Sequence, residues 1–372
     1  MTPTDDHATH DGSNDLVTTR REVHRALLAL AEGGTGALND NLRVLHGDDV
    51  HFRGAAPLDE LQGLDAVAET VWRPLMAALP DLERRDDIVV GGRFEGREYV
   101  ATVGHYCGTF TRDWLGIPAT GRALFLRYGE VHRIENGRVA QSNCLWDILD
   151  AMRQSGHWPL PPSLGMEGRW AGPFTADGQV FTPGDPARSA ANLAQTLAMQ
   201  RTLGDHDDDE TNTREGLLAM PQREHWHPKM MWYGPAGIGT SRGLAGFVDH
   251  HQLPFRTAFP NRKGGSQWGE IAEHRSEVGG GHYIRIGDGA YSVTGGWPSV
   301  HAVHTGGNWL GLGPTGRPVD MRVMDFYLHH EGRIRENWVP LDVIDVLRQL
   351  GVDVFDRLAW SVRNGGQVIR HD

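Results

Sequence analysis

The sequence predicts an α+β protein made of two tandem domains, each with helices on one side of a curved antiparallel sheet. Three observations lead to this prediction. The length of 372 residues suits two domains better than a single core. The second half of the chain repeats motifs of the first half in the same order. Within each half, segments with helical periodicity precede segments with strand periodicity, which is the order expected of an α+β domain.

The internal repeat consists of two blocks that align without gaps. Residues 114–156 align with residues 309–351 and share 14 identities over 43 positions, against a chance rate of roughly one in 15 for average composition. Residues 46–80 align with residues 226–260 and keep a Gly-Leu pair and two prolines. Because the two blocks come in the same order in both halves, the halves are interpreted as homologous domains.

Helices and strands follow the same order in both halves. Opening helices with apolar residues at helical spacing are predicted at 16–31 and 187–203. A later helix begins after the shared Gly-Leu pair and ends at proline, at 65–78 and 245–258. Strands are predicted at 86–92, 96–110, 122–134 and 138–146 in the first half, and at 268–276, 282–304, 317–329 and 333–341 in the second.

A segment rich in proline and glycine separates the two halves, which indicates a linker. The acidic and polar N-terminus indicates a disordered tail. The predicted organisation is a tail at 1–15, a degenerate first domain at 16–155, a linker at 156–186, an active second domain at 187–360 and a C-terminal tail at 361–372.

Composition excludes several classes of partner. The net charge of −12 argues against nucleic acid, because nucleic-acid binding requires a basic surface. No run approaches the roughly 18 apolar residues of a membrane helix. The N-terminus also lacks the basic-then-apolar order of a signal peptide, so we expect a cytoplasmic protein that binds neither nucleic acid nor membrane. Cys107 and Cys144 lie in strand-like runs and are predicted to be buried free thiols.

The run LGLGPTGRPVDMRVMDFYLHHEGRIRENWVPLDVIDVLRQLG, at residues 310–351, resembles the closing segment of SnoaL-like polyketide cyclases. These belong to the nuclear transport factor two superfamily. The first half carries a weaker version, and the helices and strand order also match, so the resemblance spans nearly the whole chain. It implies two cone-shaped α+β barrels, each around a deep and mostly apolar pocket. It also implies catalysis without cofactor or metal, typically at a C–H bond that a carbonyl activates.

The last two strands of the second half are predicted to form a hairpin whose turn is His330-Glu331-Gly332. Pairing around this turn predicts three opposed pairs, which are Asp325 with Asn337, Val323 with Val339 and Tyr327 with Arg335. The equivalent pairs in the first half are Glu130 with Ser142 and Tyr128 with Cys144. Strand alternation places one set of side chains on a single face, namely Met321, Val323, Asp325 and Tyr327.

The resemblance indicates that this face points into the pocket. In the cyclases, the position of Asp325 holds a histidine that points inward, and the position of Val339 holds the acid/base aspartate. Valine at 339 and cysteine at 144 mean that neither half has this aspartate. Asp325 is then the carboxylate predicted to point inward, and an apolar pocket raises the pKa of such a base. Asn337 would hold it or polarise a substrate oxygen. The alternative is a structural core carboxylate.

The second half is also rich in histidine and aromatic residues, as a pocket for a flat aromatic ligand requires. His301 and His304 are candidate acid/base groups, and their odd spacing lets at most one line the pocket. The predicted substrate-binding residues are Trp232, Tyr233, His227, Trp297, Val323, Val339 and Met321. His225 and His227 have the ligand type for a metal, but no recognised metal-binding spacing is present.

These features predict a cofactor-independent cyclase, isomerase or lyase (dehydratase) that acts on a small hydrophobic, aromatic or polyketide-like carbonyl compound. Asp325 is the predicted base in the second domain, supported by Asn337, Tyr327 and one of His301 and His304. The first domain is expected to pack against it as an intramolecular pseudo-dimer, and further homo-oligomerisation is left open.

Two alternative functions remain open at this point. One is a non-catalytic protein that binds a ligand or a partner, because the family's aspartate is missing from both halves. The other is an epoxide hydrolase-like enzyme, because Asp320 and Arg322 share one face and resemble part of the Asp–Arg–Asp set of such relatives. That face is opposite to the face of Asp325.

Overall fold

The computed structural model describes residues 12–206, 208–264 and 282–365. The first domain contains helices and strands in this order: α1 Gly12–Glu32, α2 Gly34–Leu45, β1 His46–Gly54, β2 Glu60–Gln62, α3 Leu64–Val67, α4 Arg73–Ala78, β3 Glu83–Phe94, β4 Arg97–Thr109, β5 Ala123–Glu135, β6 Arg138–Trp146 and α5 Ile148–Gln154.

The second domain has the same order with additional short elements. These are α6 Pro186–Asp205, α7 Arg214–Ala219, α8 Gln222–His225, β7 Trp226–Tyr233, β8 Ser241–Arg242, α9 Gly243–Phe247, α10 Leu253–Ala258, β9 Lys263–Gly264, β10 His282–Asp288, β11 Tyr291–Val303, β12 Pro318–His330, β13 Arg333–Trp338, α11 Val343–Gln349 and α12 Val354–Arg363.

The two sheets have matching topology, which confirms the predicted two-domain α+β fold. The first has the order β2-β1-β6-β5-β4-β3 and the second has β8-β7-β13-β12-β11-β10, with β9 also pairing with β11. Neighbouring strands are antiparallel except for β1 with β6 and β7 with β13, which are parallel. The sheets are therefore mixed, and among the described strands each sheet is open, with two edges, and does not close into a barrel.

The helix after each Gly-Leu pair is interrupted by one π-helical turn, at Ala68–Trp72 and Val248–Gln252. A proline follows two residues later in each domain, at Pro74 and Pro254. Proline lacks an N–H and its ring clashes with the carbonyl four residues earlier, so the normal hydrogen-bond ladder is disturbed at this point. π-Helical turns are rare and are frequently found at functional sites.

Two sequence predictions differ from the structure, and three predicted segments lie wholly or partly outside the described residues. The single strand expected at 282–304 is a hairpin of β10 and β11, whose two-residue loop begins at Gly289 with φ of 60°. Helix α1 begins at Gly12, inside the segment expected to be a disordered tail. The strand expected at 268–276, residues 1–11 of the N-terminal tail and residues 366–372 of the C-terminal tail lie outside the described residues.

The two sheets pack against each other through the faces that do not bear the main helices. This shared core includes Val103 and Val131 from the first sheet, and Val293 and Phe326 from the second. The approach is close at Gly129, where an added Cβ would lie 2.2 Å from Cγ of Pro340. The packing leaves the opposite face of each sheet to enclose its own domain's interior.

Two equivalent hydrogen bonds join the domains. The backbone N–H of Ala56 donates to Asp342 at 3.0 Å, and the backbone N–H of Ala236 donates to Asp147 at 2.8 Å. Both aspartates are also N-caps of the final helix of their sheet, α11 and α5. Each domain therefore contributes the same capping group to the other. No helix in the described part of the chain is long and apolar enough to cross a membrane.

Candidate active site

A cavity of about 210 Å³ lies inside the second domain, between its helices and the face of its sheet that does not contact the first domain. Most of the lining is apolar, with Trp226, Trp232 and Trp309 among the larger side chains. Polar groups enter from strands β11, β12 and β13, from helix α6, from the π-helical turn, and from α10 and the loop after it, where Arg256 and Arg262 line the cavity. This combination of apolar walls and few polar groups is typical of a small-molecule site.

Asp325 is the only carboxylate among the described residues that line this cavity. Its carboxylate faces the cavity, while protein atoms enclose it on the other sides. Burial raises its pKa from the usual value near 4 to about 6, and hydrogen bonds from Asn337 and Tyr327 limit the increase. At neutral pH the group is an ionised base that is more basic than an exposed aspartate.

Asn337 and Tyr327 both line the cavity beside Asp325. The Asn337 side-chain amide donates to Asp325 at 3.3 Å and to the carbonyl of Phe326 at 3.2 Å. The hydroxyl of Tyr327 accepts a hydrogen bond from Gln200 at 3.1 Å. These three side chains, with Gln200 from helix α6, form one connected polar group in an otherwise apolar wall.

The predicted strand register is wrong by two residues, but the predicted face is right. Tyr327 pairs with Asn337, and Val323 lies opposite Leu341. The turn contains two residues where three were expected, and an irregularity near Arg335 adds one more residue to β13. Each change shifts the pairing by one, and two such shifts restore the same face.

The same displacement occurs in the first domain, where Glu130 lies opposite Cys144 and Tyr128 opposite Trp146. The predicted partners, Ser142 for Glu130 and Cys144 for Tyr128, are therefore wrong by the same two residues. Both hairpins contain the irregularity at the same place, so it is a property of the repeated unit. In both domains it leaves the inward face unchanged.

Four of the predicted substrate-binding residues line the cavity. They are Trp232 on β7, Met321 and Val323 on β12, and Val339 just after β13. Each is buried. Val339 is the position at which the family resemblance implies an aspartate, so the structure brings that position and Asp325 to the same cavity.

Tyr233 and Trp297 do not line the cavity. Tyr233 follows Trp232 on a strand and points to the opposite face, where its ring stacks on Trp338 at 5.2 Å. Trp297 lies in an irregular part of β11 and packs in the core between the two sheets, with Arg322 over its ring. Both predictions of a pocket position are therefore wrong, because the side chains belong to the interface between the sheets.

The predicted histidines also lie elsewhere. His301 pairs with Asp320 at 2.9 Å, on the face of the sheet away from the cavity. His304 follows the end of β11 and is buried with its ring 5.1 Å from that of Phe259. Neither lines the cavity, so neither is positioned as the predicted acid/base group.

His227 lies at the start of β7 with its ring 3.2 Å from Glu331, outside the cavity. It shares the strand parity of Tyr233 and not that of Trp232, which explains its outward position. Among the described residues, no three His, Cys, Asp or Glu side chains form a group that could hold a metal ion.

The pair that suggested a hydrolase is also away from the cavity. Arg322 contacts Asp342 at 3.2 Å, and the equivalent Arg127 contacts Asp147 at 2.8 Å. Asp320 accepts from His301. The repeated arginine therefore holds the aspartate that caps the final helix in each domain.

Sequence reasoning missed His251 and Gln200 as lining residues. His251 lies in the π-helical turn, between Phe247 and Phe255 at spacings of four residues, and all three line the cavity. That spacing places side chains on one side of a helix and could have indicated an inward position. Gln200 lies on α6 and carried no comparable signal.

The first domain fills the equivalent space with its own side chains. Aromatic residues stand where the aligned positions of the second domain hold smaller side chains: Trp72 for Gln252, Tyr128 for Val323 and Trp146 for Leu341. The rings of Trp72 and Trp146 contact each other with centroids 5.8 Å apart. The aromatic rings thus replace the cavity.

Glu130, at the position aligned with Asp325, is fully engaged by protein groups. It accepts hydrogen bonds from Arg84 at 2.8 Å, Tyr106 at 3.0 Å and Trp146 at 2.8 Å. Although burial opposes ionisation, the Arg84 guanidinium holds the pKa of this carboxyl well below its usual range. Glu130 is thus a buried ion-pair partner.

Asp325→Asn is expected to increase the stability of the protein at neutral pH but not in acid. The folded-state pKa is raised to about 6, so the contribution of Asp325 to wild-type stability is greatest below the unfolded-state pKa near 4 and is lost as pH rises through 6. We compare the unfolding free energy of the variant with that of the wild type at two pH values. The difference, variant minus wild type, should be roughly 2–3 kcal/mol larger above pH 7 than at pH 3.5. Urea denaturation at both pH values measures this, and a pH-independent difference would contradict it.

The SnoaL-like polyketide cyclase family model matches residues 22–155 and 298–350, which together make half of the chain. The chain belongs to the SnoaL-like polyketide cyclase family. Membership of this family indicates cyclase- or isomerase-type chemistry on small hydrophobic molecules. The two matched segments fall in different domains, in agreement with the tandem arrangement.

Solved structures similar to parts of this family member include three from bacteria. A putative SnoaL-like polyketide cyclase from Jannaschia sp. CCS1 is 20% identical over 36% of this chain and 90% of its own, with a TM-score of 0.30. IdmH, a putative polyketide cyclase from Streptomyces antibioticus, is 18% identical over 36% of this chain and 97% of its own, with a TM-score of 0.30. TsrD from Streptomyces laurentii is 21% identical over 37% of this chain and 96% of its own, with a TM-score of 0.31. A search of curated proteins finds no significant match.

Proposed function

We propose that this protein is a cofactor-independent enzyme that removes a proton next to a carbonyl of a small aromatic or polyketide-like compound. The reaction takes place in the cavity of the second domain, with Asp325 as the base. The observation that carries the proposal is one ionisable carboxylate in a mostly apolar cavity, with its pKa raised to about 6. Such a carboxylate is ionised at neutral pH and is matched to general-base catalysis there.

In the proposed step, a carboxylate oxygen of Asp325 takes the proton from the carbon next to the carbonyl. The electron pair of the C–H bond moves into the carbon–carbon bond, and the carbonyl oxygen becomes an enolate oxygen. Return of the proton to another carbon gives isomerisation, loss of a group from the neighbouring carbon gives elimination, and attack on a second carbonyl gives cyclisation. Asn337, 3.3 Å from Asp325, orients the carboxylate.

Family membership supports this proposal, and so does the position of Val339. The resemblance implies an acid/base aspartate at that position, and Val339 lines the same cavity as Asp325. A carboxylate on the neighbouring strand β12 therefore reaches the same space. The first domain offers no such group, because Glu130 is held by Arg84, Tyr106 and Trp146.

Hydrogen–deuterium exchange in a ketone probe tests the proposal. The wild type is incubated with 2-tetralone in D2O at pH 7, and loss of the proton signals next to the carbonyl is followed by NMR. We expect exchange above the buffer rate, and a return to the buffer rate in Asp325→Asn. Tight binding of the ketone by the wild type without faster exchange would instead support the non-catalytic binding function.

A further inference from the structure

His251 is held in the wall of the cavity by aromatic stacking. Its ring stacks on Trp232 with centroids 4.4 Å apart and planes 15° apart, and on Phe255 at 5.6 Å and 23°. Both contacts are face to face, so they fix the plane of the imidazole. Part of the ring borders the cavity. The residue lies in the π-helical turn Val248–Gln252.

The polar atoms of this ring have no protein partner within the described residues. Nδ1 of His251 is fully buried without a hydrogen bond, so a molecule in the cavity cannot reach it. Nε2 is not fully buried, has no hydrogen-bond partner among the described residues, and is the ring nitrogen that a molecule in the cavity can reach. An unsatisfied buried polar group costs about 1–3 kcal/mol. The aligned residue of the first domain is Val71, which is fully buried. An imidazole at this position therefore carries a cost that an apolar residue would not, and it leaves Nε2 to interact with a molecule in the cavity.

Burial, together with the nearby Arg256, lowers the pKa of His251 to about 3. The imidazole is therefore neutral at physiological pH. A neutral imidazole carries one N–H donor and one acceptor nitrogen. It can donate a hydrogen bond to a carbonyl or enolate oxygen without adding a positive charge to the cavity.

The proposed reaction requires a hydrogen-bond donor at the carbonyl oxygen, because negative charge develops there. The amide of Asn337 is already engaged by Asp325 and by the carbonyl of Phe326. The side-chain amide of Gln200 already donates hydrogen bonds to the hydroxyl of Thr294, at 2.8 Å, and to the hydroxyl of Tyr327. These donors would have to break existing bonds to serve a substrate. The same holds for three other polar side chains of the wall: Arg256 donates to Gln252, Asn212 and two backbone carbonyls, and Arg262 and Ser299 also have partners.

We propose that His251 is a second catalytic residue, whose imidazole N–H donates to the carbonyl oxygen of a one- or two-ring aromatic ketone while Asp325 removes the proton. This inference rests on the proposed function. The substrate size follows from the cavity of about 210 Å³, since an apolar cavity of about 150 Å³ is known to hold benzene. The stacked rings of Trp232 and Phe255 supply flat apolar walls for such a substrate.

A matched pair of probes separates the hydrogen bond from apolar binding. 2-Tetralone and tetralin have the same ring system, and only the ketone accepts a hydrogen bond. We expect His251→Phe, which keeps an aromatic ring, to reduce the preference for the ketone, measured as the ratio of the two Kd values by calorimetry, by about 2–10-fold. His251→Gln, which keeps a donor, should retain part of the preference. The control His250→Phe changes the neighbouring residue, which contacts Ser241 and does not line the cavity.

The exchange assay then tests the catalytic role. His251→Phe should lower kcat for exchange of 2-tetralone by about 10²–10³, with a smaller change in KM. Trp226→Phe removes the other buried donor without a protein partner in the described part of the cavity wall, and its kcat should fall much less than that of His251→Phe. The variant expected to leave both readouts unchanged is His250→Phe, whose residue contacts Ser241 outside the cavity. A large effect of Trp226→Phe with none of His251→Phe would assign the donor to the tryptophan and overturn the inference.

Failure of this inference can be distinguished from failure of the proposed function. Loss of exchange in Asp325→Asn with no effect of His251→Phe on either readout overturns the role of His251 and leaves the proposed base intact. A reduced ketone preference in His251→Phe without wild-type exchange overturns the catalytic role and leaves a binding residue. Failure of the wild type to bind either probe overturns the proposed substrate class.

Discussion

Asp325→Asn is expected to lower kcat for the proton-transfer reaction by a factor of about 10²–10⁴, which is the usual contribution of a general base. Asparagine has nearly the same shape and can still interact with Asn337, so KM should change by only a few-fold. Steady-state kinetics on 2-tetralone, or on any better ketone found with it, gives both constants. Below pH 6 the wild-type rate should fall, because protonation of a carboxyl with a pKa of about 6 removes the base.

Asp320→Asn is the matched control for this experiment. Asp320 lies on the same strand, β12, but on the face away from the cavity, where it contacts His301. The control removes one carboxylate from the same strand at a distance of five residues. Its kcat should remain close to wild type. Equal losses in the two variants would show that the carboxylate acts on folding or net charge and would contradict its role as base.

Arg84→Met is expected to lower the unfolding free energy by about 3–5 kcal/mol, since it leaves buried carboxylates without their cation. Arg84 is fully buried and donates to Asp86 at 2.9 Å and to Glu130 at 2.8 Å. Methionine fills similar space but carries no charge. Chemical denaturation monitored by tryptophan fluorescence measures the loss.

Arg85→Met is the control, because it removes the adjacent arginine at the surface. Arg85 pairs with Glu83 and both side chains are about half exposed. An exposed ion pair contributes about 0–1 kcal/mol, so this variant should remain close to wild type. Similar stabilities of the two variants would mean that the buried charges of the first domain are solvated or neutral, and would contradict the structural role given to Glu130.

The internal repeat predicts the fold because it identifies equivalent segments of the two halves from the amino-acid pattern alone. Strand alternation predicts the inward face of β12 correctly despite an incorrect register. Two single-residue displacements, one in the turn and one near Arg335, add to an even number, and the side-chain period of a strand is two. An odd error would have placed Asn337 and Val339 on the face opposite to that of Asp325.

The same periodicity could have excluded some of the predicted pocket residues. Trp232 and Tyr233 are adjacent on β7 and cannot both point inward in a regular strand. Trp297 lies where the pairing of β11 with β12 shifts, and an irregularity of that kind cannot be located from one sequence. The hairpin of β10 and β11 is hard to recognise because both strands are rich in β-forming residues, and its two-residue loop needs only Gly289 and one neighbour.

The histidines show how far composition can predict a site. Their concentration in the second half suggested His301 and His304, but these lie outside the cavity, while His251 lines it. Composition indicates that a domain holds unusual side chains, but position on a helix or strand determines which of them reach the interior. A helical spacing of four from Phe247 and to Phe255 was the better signal.

The reciprocal bonds of Asp342 to Ala56 and of Asp147 to Ala236 have a consequence for how this protein evolves. In a dimer of identical chains, every substitution appears in both subunits, and a change that opens a cavity in one opens it in the other. Covalent duplication removes that restriction while the mutual contacts are kept. One domain could then acquire a tightly packed charged interior, while the other exchanged large side chains for smaller ones and opened a cavity for a ligand. Each mutation would change one domain and leave the other as it was.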